Sequence, residues 1–144
     1  MTDEDADADT DTDEAEIDVP SNPRPFRYEG EVQPGETRHL RYEISETYLG
    51  DPVEMPVTII NGEGPGPRLC LTAAIHGDEL NGVKVCQEVA SRYSPEDVHG
   101  TLVILHVVNV PGYQAQQRYI PIYDQDLNRS FPGREGGNTA SRMA

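Results

Sequence analysis

Apolar and polar residues alternate in the first half of the chain and run together in the second, and this change predicts two kinds of strand. Between His39 and Ser45, Leu40, Tyr42 and Ile44 recur at every second position, and turn signals at Pro34-Gly35 and Gly50-Asp51-Pro52 bracket the segment. That is the pattern of a small antiparallel strand with one covered face. Val53 to Ile60 is a second strand candidate, and the glycines and prolines of Asn61 to Arg68 predict a loop after it. From Arg68 the alternation stops. Arg68 to Ile75 is a continuous apolar run, as expected of a strand buried on both faces of a parallel sheet. Leu80, Val83, Cys86 and Ala90 then recur at three and four residues, which predicts an amphipathic helix over Glu79 to Arg92, ended by Ser94-Pro95. Thr101 to Val108 repeats the buried-strand pattern. Residues 68 to 108 therefore read as one strand-helix-strand unit with a right-handed crossover, and the fold class is α/β.

Both ends of the chain read differently. The prolines at 20, 23 and 25 predict an extended linker, and residues 1 to 18 hold ten acids and no base, the composition of a self-repelling disordered tail. Residues 109 to 144 form a long, mostly polar connection of the kind that carries function. Thr139 to Ala144, capped by Asn138 or Thr139, read as a helix of fewer than two turns. The chain thus stops inside an element, and its 144 residues read as the front part of a longer domain. The expected division is a tail and linker over 1–25, an N-terminal β segment over 26–65 and an α/β unit over 66–144.

Charge narrows the possible partners. With 26 acidic against 11 basic residues the net charge is −15, the opposite of the positive footprint a nucleic-acid binder presents to phosphate. No run of about 18 apolar residues is present, and the acidic start is unlike a secretory signal, so the chain reads as cytoplasmic with no membrane partner. Lys84 is the single lysine beside ten arginines, a bias that resembles proteins of salt-loving archaea. Cys70 and Cys86 lie inside apolar runs and read as buried free thiols. His106 reads as a hydrogen-bonded core histidine in mid-strand, and His39 and His99 as solvent-facing.

Two clusters carry candidate chemistry. His76 and Glu79 stand three apart where the first buried strand meets the helix, a corner at which open α/β sheets place ligand sites. An imidazole and a carboxylate there can converge on one cation, and zinc accepts both. Read alone, the pair is equally a solvated turn with a carboxylate favoured by the helix dipole. The second cluster is Asp126-Leu127-Asn128-Arg129, with Arg118 upstream. Arginines and an amide suit an anionic substrate, and the ordinary alternative is a surface salt-bridge loop.

Taken in order, Ala73 to Gly82 and then Val107 to Gly133 resemble the succinylglutamate desuccinylase and aspartoacylase family of zinc-dependent amidohydrolases, relatives of the zinc carboxypeptidases. The resemblance covers about residues 55 to 144. It implies a zinc-carboxypeptidase-like mixed sheet flanked by helices, with short β segments and the acidic tail in front. By position, His76 and Glu79 match two zinc ligands, Asn128 and Arg129 match the pair that holds the substrate carboxylate, and Arg118 matches an arginine that orients the substrate and polarises its scissile carbonyl. Asp126 is expected to order its loop without a chemical role. The implied reaction is hydrolysis of the amide of an N-acyl amino acid or similar small molecule, with zinc and Arg118 stabilising the developing oxyanion. A second histidine ligand and a glutamate general base are implied further along than this sequence reaches, so zinc is expected to bind weakly here and turnover to be negligible. The rival readings are a zinc carboxypeptidase, whose substrate carboxylate the same Asn-Arg pair suits, and a non-catalytic binding module.

Overall fold

The alternation around Leu40, Tyr42 and Ile44 extends over eleven residues in the computed structural model, which describes residues 21, 23–28, 30–47, 49–121, 123–134 and 136–144. The acidic segment 1 to 18 lies outside the described residues. Strand β1 (Phe26–Arg27) pairs antiparallel with β2 (Glu31–Val32) as a small separate ribbon. Strands β3 (Glu36–Glu46), β4 (Pro52–Asn61), β5 (Gly64–Thr72) and β6 (His99–Leu105) form one mixed sheet in the order β3-β4-β6-β5. The β3–β4 and β4–β6 pairs are antiparallel and β5–β6 is parallel, joined through helix α1 (Asn81–Arg92). Helices α2 (Val110–Ala115) and α3 (Thr139–Met143) follow, with a 3-10 turn at Leu127–Arg129 between them. No helix among the described residues is long and apolar enough to cross a membrane.

Burial follows strand position. β4 has a neighbour on each side, so Ile59 and Ile60, which face opposite ways, are both inaccessible to solvent. On β6, Ile104 is likewise fully buried opposite Thr58. Asn61 closes the far end of β4: its Nδ2 donates to Arg24 O and Val32 O at 2.9 Å, and its Oδ1 accepts the Thr101 hydroxyl at 2.8 Å. One buried amide thereby ties the β1–β2 ribbon to the sheet, with every polar atom of that side chain engaged.

Several expectations need correction. The predicted loop at Asn61 to Arg68 shrinks to Gly62 and Glu63, because β5 already begins at Gly64. Proline is tolerated there because β5 is an edge strand, and a Cβ on Gly66 would stand 2.4 Å from His99 O, so glycine permits the close approach to β6. The edge position also overturns the burial expected for Arg68 to Ile75. Leu69 is 57% exposed and Cys70 is exposed, while Cys86 on α1 is buried as expected. Helix α1 starts at Asn81 and leaves Leu80 half exposed, so its buried residues reduce to Val83 and Cys86. β6 ends at Leu105, which puts His106 just past the strand. There its Nε2 lies 2.8 Å from Thr58 Oγ1 and its buried Nδ1 has no partner. His39 is not left to solvent alone, since its Nδ1 lies 2.9 Å from the same Thr58 hydroxyl. Helix α2 occupies what reads as loop; its signal is Asn109 as cap followed by Pro111 in the first turn.

Candidate functional site

The parallel pair β5–β6 is extended past its named ends by backbone bonds from Val108 to Ala73 O and from Asn109 to Ala74 O, both 2.9 Å. Ala74 then adopts the left-handed conformation, with φ of 51°, and turns the chain out of the sheet. Two residues past Ala74 comes His76, 6% exposed, followed by Gly77, whose amide donates to Arg118 O at 3.2 Å. The Glu79 amide donates to His76 O at 3.2 Å, closing a turn that delivers both side chains to the same side just before α1. An open groove of about 720 Å³ beside this turn is lined by Ala73, Ala74, Ile75, Asp78, Glu79 and Asn81, among others.

Both ring nitrogens of His76 face carboxylates. Nδ1 lies 3.0 Å from Glu79 Oε1 and Nε2 lies 3.0 Å from Asp126 Oδ1, a residue 50 positions away in sequence. Arg118 Nη1 donates to the same Glu79 oxygen at 2.8 Å. A neutral imidazole has one N–H to give. An imidazolium, donating from both nitrogens, satisfies both contacts without a metal; with a single proton on Nε2, donated to Asp126, the Nδ1 lone pair and the Glu79 carboxylate face each other as two ligands of one cation would. The chemistry of this donor set fits zinc: an imidazole nitrogen and a carboxylate oxygen face each other, and a second carboxylate fixes the ring. No group of three or more His, Cys, Asp or Glu placed to hold a metal ion occurs among the described residues.

The electrostatics agree with the contacts. Hydrogen bonding to His76, then to Arg118, holds the Glu79 carboxyl below its usual range, and the Glu79 carboxylate in turn raises the Arg118 pKa. Burial pushes the Asp126 carboxyl up. It nevertheless lies below its usual range, because the His76 bond, the Asn128 amide and the charges of His76 and Arg129 outweigh that push.

Asp126 does more than order its loop. Its Oδ1 accepts the Asn128 amide at 2.9 Å, capping the 3-10 turn, and the same oxygen meets His76. Fully buried Leu127 anchors the turn from below. Asn128 and Arg129 are exposed, and Arg129 Nη1 donates to Asn128 O at 3.3 Å. The structure therefore brings His76 and Arg118 each into contact with Glu79 and adds Asp126 on the other side of His76, whereas Asn128 and Arg129 join this cluster through Asp126. The sequence predicts only the loop-ordering role of Asp126, because nothing in a linear pattern reveals its bond to His76 across 50 residues; its local signal is an Asx cap before a short turn. Glu135, which follows the Asp126–Arg129 loop too closely in sequence to match the general base that the resemblance implies, lies outside the described residues.

The chain is similar to known proteins over the stretch that holds both clusters. The model of the succinylglutamate desuccinylase/aspartoacylase catalytic domain matches residues 65–144, a stretch holding both clusters. The N-alpha-acetyl-L-2,4-diaminobutyric acid deacetylase of Halomonas elongata is 39% identical over 92 residues, which are 64% of this chain and 27% of that enzyme. The product-bound ectoine utilization protein EutE (DoeB) of Ruegeria pomeroyi superposes with a TM-score of 0.70 at 33% identity, over 87% of this chain and 38% of its own. A succinylglutamate desuccinylase/aspartoacylase of Rhodobacter sphaeroides gives 0.66 at 34% identity, over 75% and 33%. The chain spans between about a quarter and two-fifths of the length of these relatives. Its mixed α/β sheet matches the corresponding part of their fold, and a domain model covering more than half of the residues includes both clusters in order, so the chain belongs to the succinylglutamate desuccinylase/aspartoacylase family.

Proposed function

We propose that this chain is the N-terminal part of a zinc-dependent deacylase with a carboxypeptidase-like fold, acting on the amide of N-acyl amino acids. The observation that carries the reading is that His76 Nδ1, at 3.0 Å, and Arg118 Nη1, at 2.8 Å, both meet Glu79 Oε1, on the stretch that matches the family. His76 and Glu79 would hold the metal, which supplies Lewis acidity toward a carbonyl oxygen and lowers the pKa of water. Asp126 keeps the proton of His76 on Nε2 and leaves Nδ1 free to ligate. Arg118 sits where its guanidinium can meet negative charge developing on the substrate carbonyl, while exposed Asn128 and Arg129 offer an amide and a fork of donors to the substrate carboxylate. The remaining ligand and the general base are proposed to come from residues beyond 144.

Zinc titration tests the metal half directly. The chain is expected to take up one zinc more weakly than a three-ligand site would, and His76→Ala or Glu79→Gln should each abolish the uptake. Zinc binding that survives both substitutions would overturn the assignment. Hydrolysis is read in a protein that continues this chain to the length of its relatives: release of amine from Nα-acetyl-L-2,4-diaminobutyric acid supports the deacylase, and efficient trimming of a peptide C-terminus supports a carboxypeptidase instead.

A further inference from the structure

Arg118 belongs to an irregular segment with no strand or helix of its own, yet its guanidinium reaches Glu79 at 2.8 Å, so something must fix its backbone. Two donors converge on the Arg118 carbonyl. The amide of Gly77, inside the turn from His76 to Glu79, lies 3.2 Å away, and the side-chain Nδ2 of Asn109 lies 3.4 Å away. Asn109 has no solvent exposure. Its backbone amide donates to Ala74 O at 2.9 Å, its carbonyl accepts the Tyr113 amide at 2.9 Å, and its Oδ1 accepts the Gly112 amide at 3.0 Å as the cap of α2. One buried residue thus touches the bend after β5, the first turn of α2 and the Arg118 backbone. The junction is tight enough that a Cβ on Gly77 would stand 2.0 Å from the carbonyl carbon of Gly112.

We propose that Asn109 is a positioning residue, which fastens the Arg118 backbone to the turn bearing His76 and Glu79 and thereby sets the reach of the Arg118 guanidinium. Its relevance to substrate rests on the reading above that Arg118 orients an acyl amino acid; the tether itself does not. An amide suits the position because it accepts and donates at once. Serine keeps the acceptor for Gly112 and falls short of Arg118, and aspartate has no proton to give.

Asn109→Ser in the 144-residue chain separates these roles. Amide hydrogen exchange at Gly77 should accelerate about tenfold, while amides in the middle of α1 keep their protection. Affinity for Nα-acetyl-L-2,4-diaminobutyric acid in the presence of zinc should fall several-fold with Arg118 present, and Asn109→Ser should have no further effect in an Arg118→Ala background. Unchanged Gly77 exchange, or equal losses in both backgrounds, would overturn the proposal, because a merely structural cap acts without regard to Arg118. If the serine variant does not fold, the unaltered chain still decides: the Asn109 Nδ2 protons should exchange far more slowly than those of exposed Asn128 and show nuclear Overhauser contacts to Arg118, and fast exchange sinks the tether. If the unaltered chain binds neither zinc nor the acetylated amino acid while Gly77 still responds to the serine, the deacylase reading fails and the tether stands.

Discussion

Two strands with the same apolar grammar meet opposite fates in this sheet. β6 lies between β4 and β5, and its Ile104 is fully buried; β5, its parallel neighbour, takes the edge and leaves Leu69 57% exposed. The run from Arg68 to Ile75 is as apolar as the run from Thr101 to Val108, so the difference comes from neighbours and not from composition. An apolar run states how much burial a strand wants, and the rest of the fold decides whether it receives it. Each of the two strands also delivers a histidine beyond its carboxyl end. His76 arrives between two carboxylates, whereas His106 arrives beside a hydroxyl. The first setting offers the ring two carboxylate partners and the second a single hydroxyl.

The sharpest way to break the strand comparison is to truncate one residue on each. Ile104→Ala removes a side chain closed in by β4 and β5 and should destabilise the chain by about 2–5 kcal/mol. Leu69→Ala should cost about 0.5 kcal/mol or less, because most of that side chain is already in water. Urea unfolding of both variants measures the contrast. Equal losses would mean that the outer edge of β5 is covered in solution.

Much of this arrangement is legible in the sequence where burial depends on close neighbours in the chain. The strand-helix-strand unit and the β3–β4 hairpin follow from periodicity, because β5, α1 and β6 are consecutive and their pairing is short-range. Position within the sheet is not legible, since β4 inserts between β3 and β6 by a long-range pairing that Val57 and Ile59 do not announce. The prolines at 65 and 67 argue against a central strand but not against an edge strand, which is why β5 occupies part of the expected loop. At the candidate site, His76, Glu79 and Arg118 could be named from motif and spacing. The partnership of Asp126 with His76 and the role of Asn109 could not, because each acts through a bond to a residue distant in sequence or to a backbone carbonyl.

His106 sharpens the comparison by titration. Thr58 has one proton and can donate it to only one of His39 Nδ1 and His106 Nε2. The less costly arrangement has His106 donating from Nε2 and Thr58 donating to His39, which leaves His106 Nδ1 as a bare acceptor and not as a stranded buried donor. Burial first, and then the nearby charge of His39, lowers the His106 pKa from the ordinary 6.5. The sign follows. Below the unfolded value the unfolded chain binds the proton more readily, so the stabilisation is complete above about pH 6.5 and is lost as pH falls toward the lower folded value. In proton NMR the His106 ring should therefore titrate with a midpoint below 6.5. A midpoint at or above that value would dismantle this account of the ring. Thr58→Val, which strips both histidines of their shared partner, should cost about 1–3 kcal/mol at pH 7, most of it from newly unpaired buried nitrogen.

The smallest effect concerns the thiols, and it probes the edge without altering the fold. Cys70 on β5 is exposed and Cys86 on α1 is buried, although both lie in apolar runs and burial raises the pKa of both. A raised thiol pKa leaves little thiolate at pH 7, so both should react slowly and differ mainly in access. With a disulfide reagent in native buffer, Cys70 should label at a rate that climbs with pH, and Cys86 only when denaturant opens the α1 contact with the sheet. Labelling at Cys70 should leave the urea midpoint almost unmoved, because β5 has no neighbour on its outer side among the described residues. Protection of Cys70 equal to that of Cys86 would place a cover over β5, and the two strands would then share one fate after all.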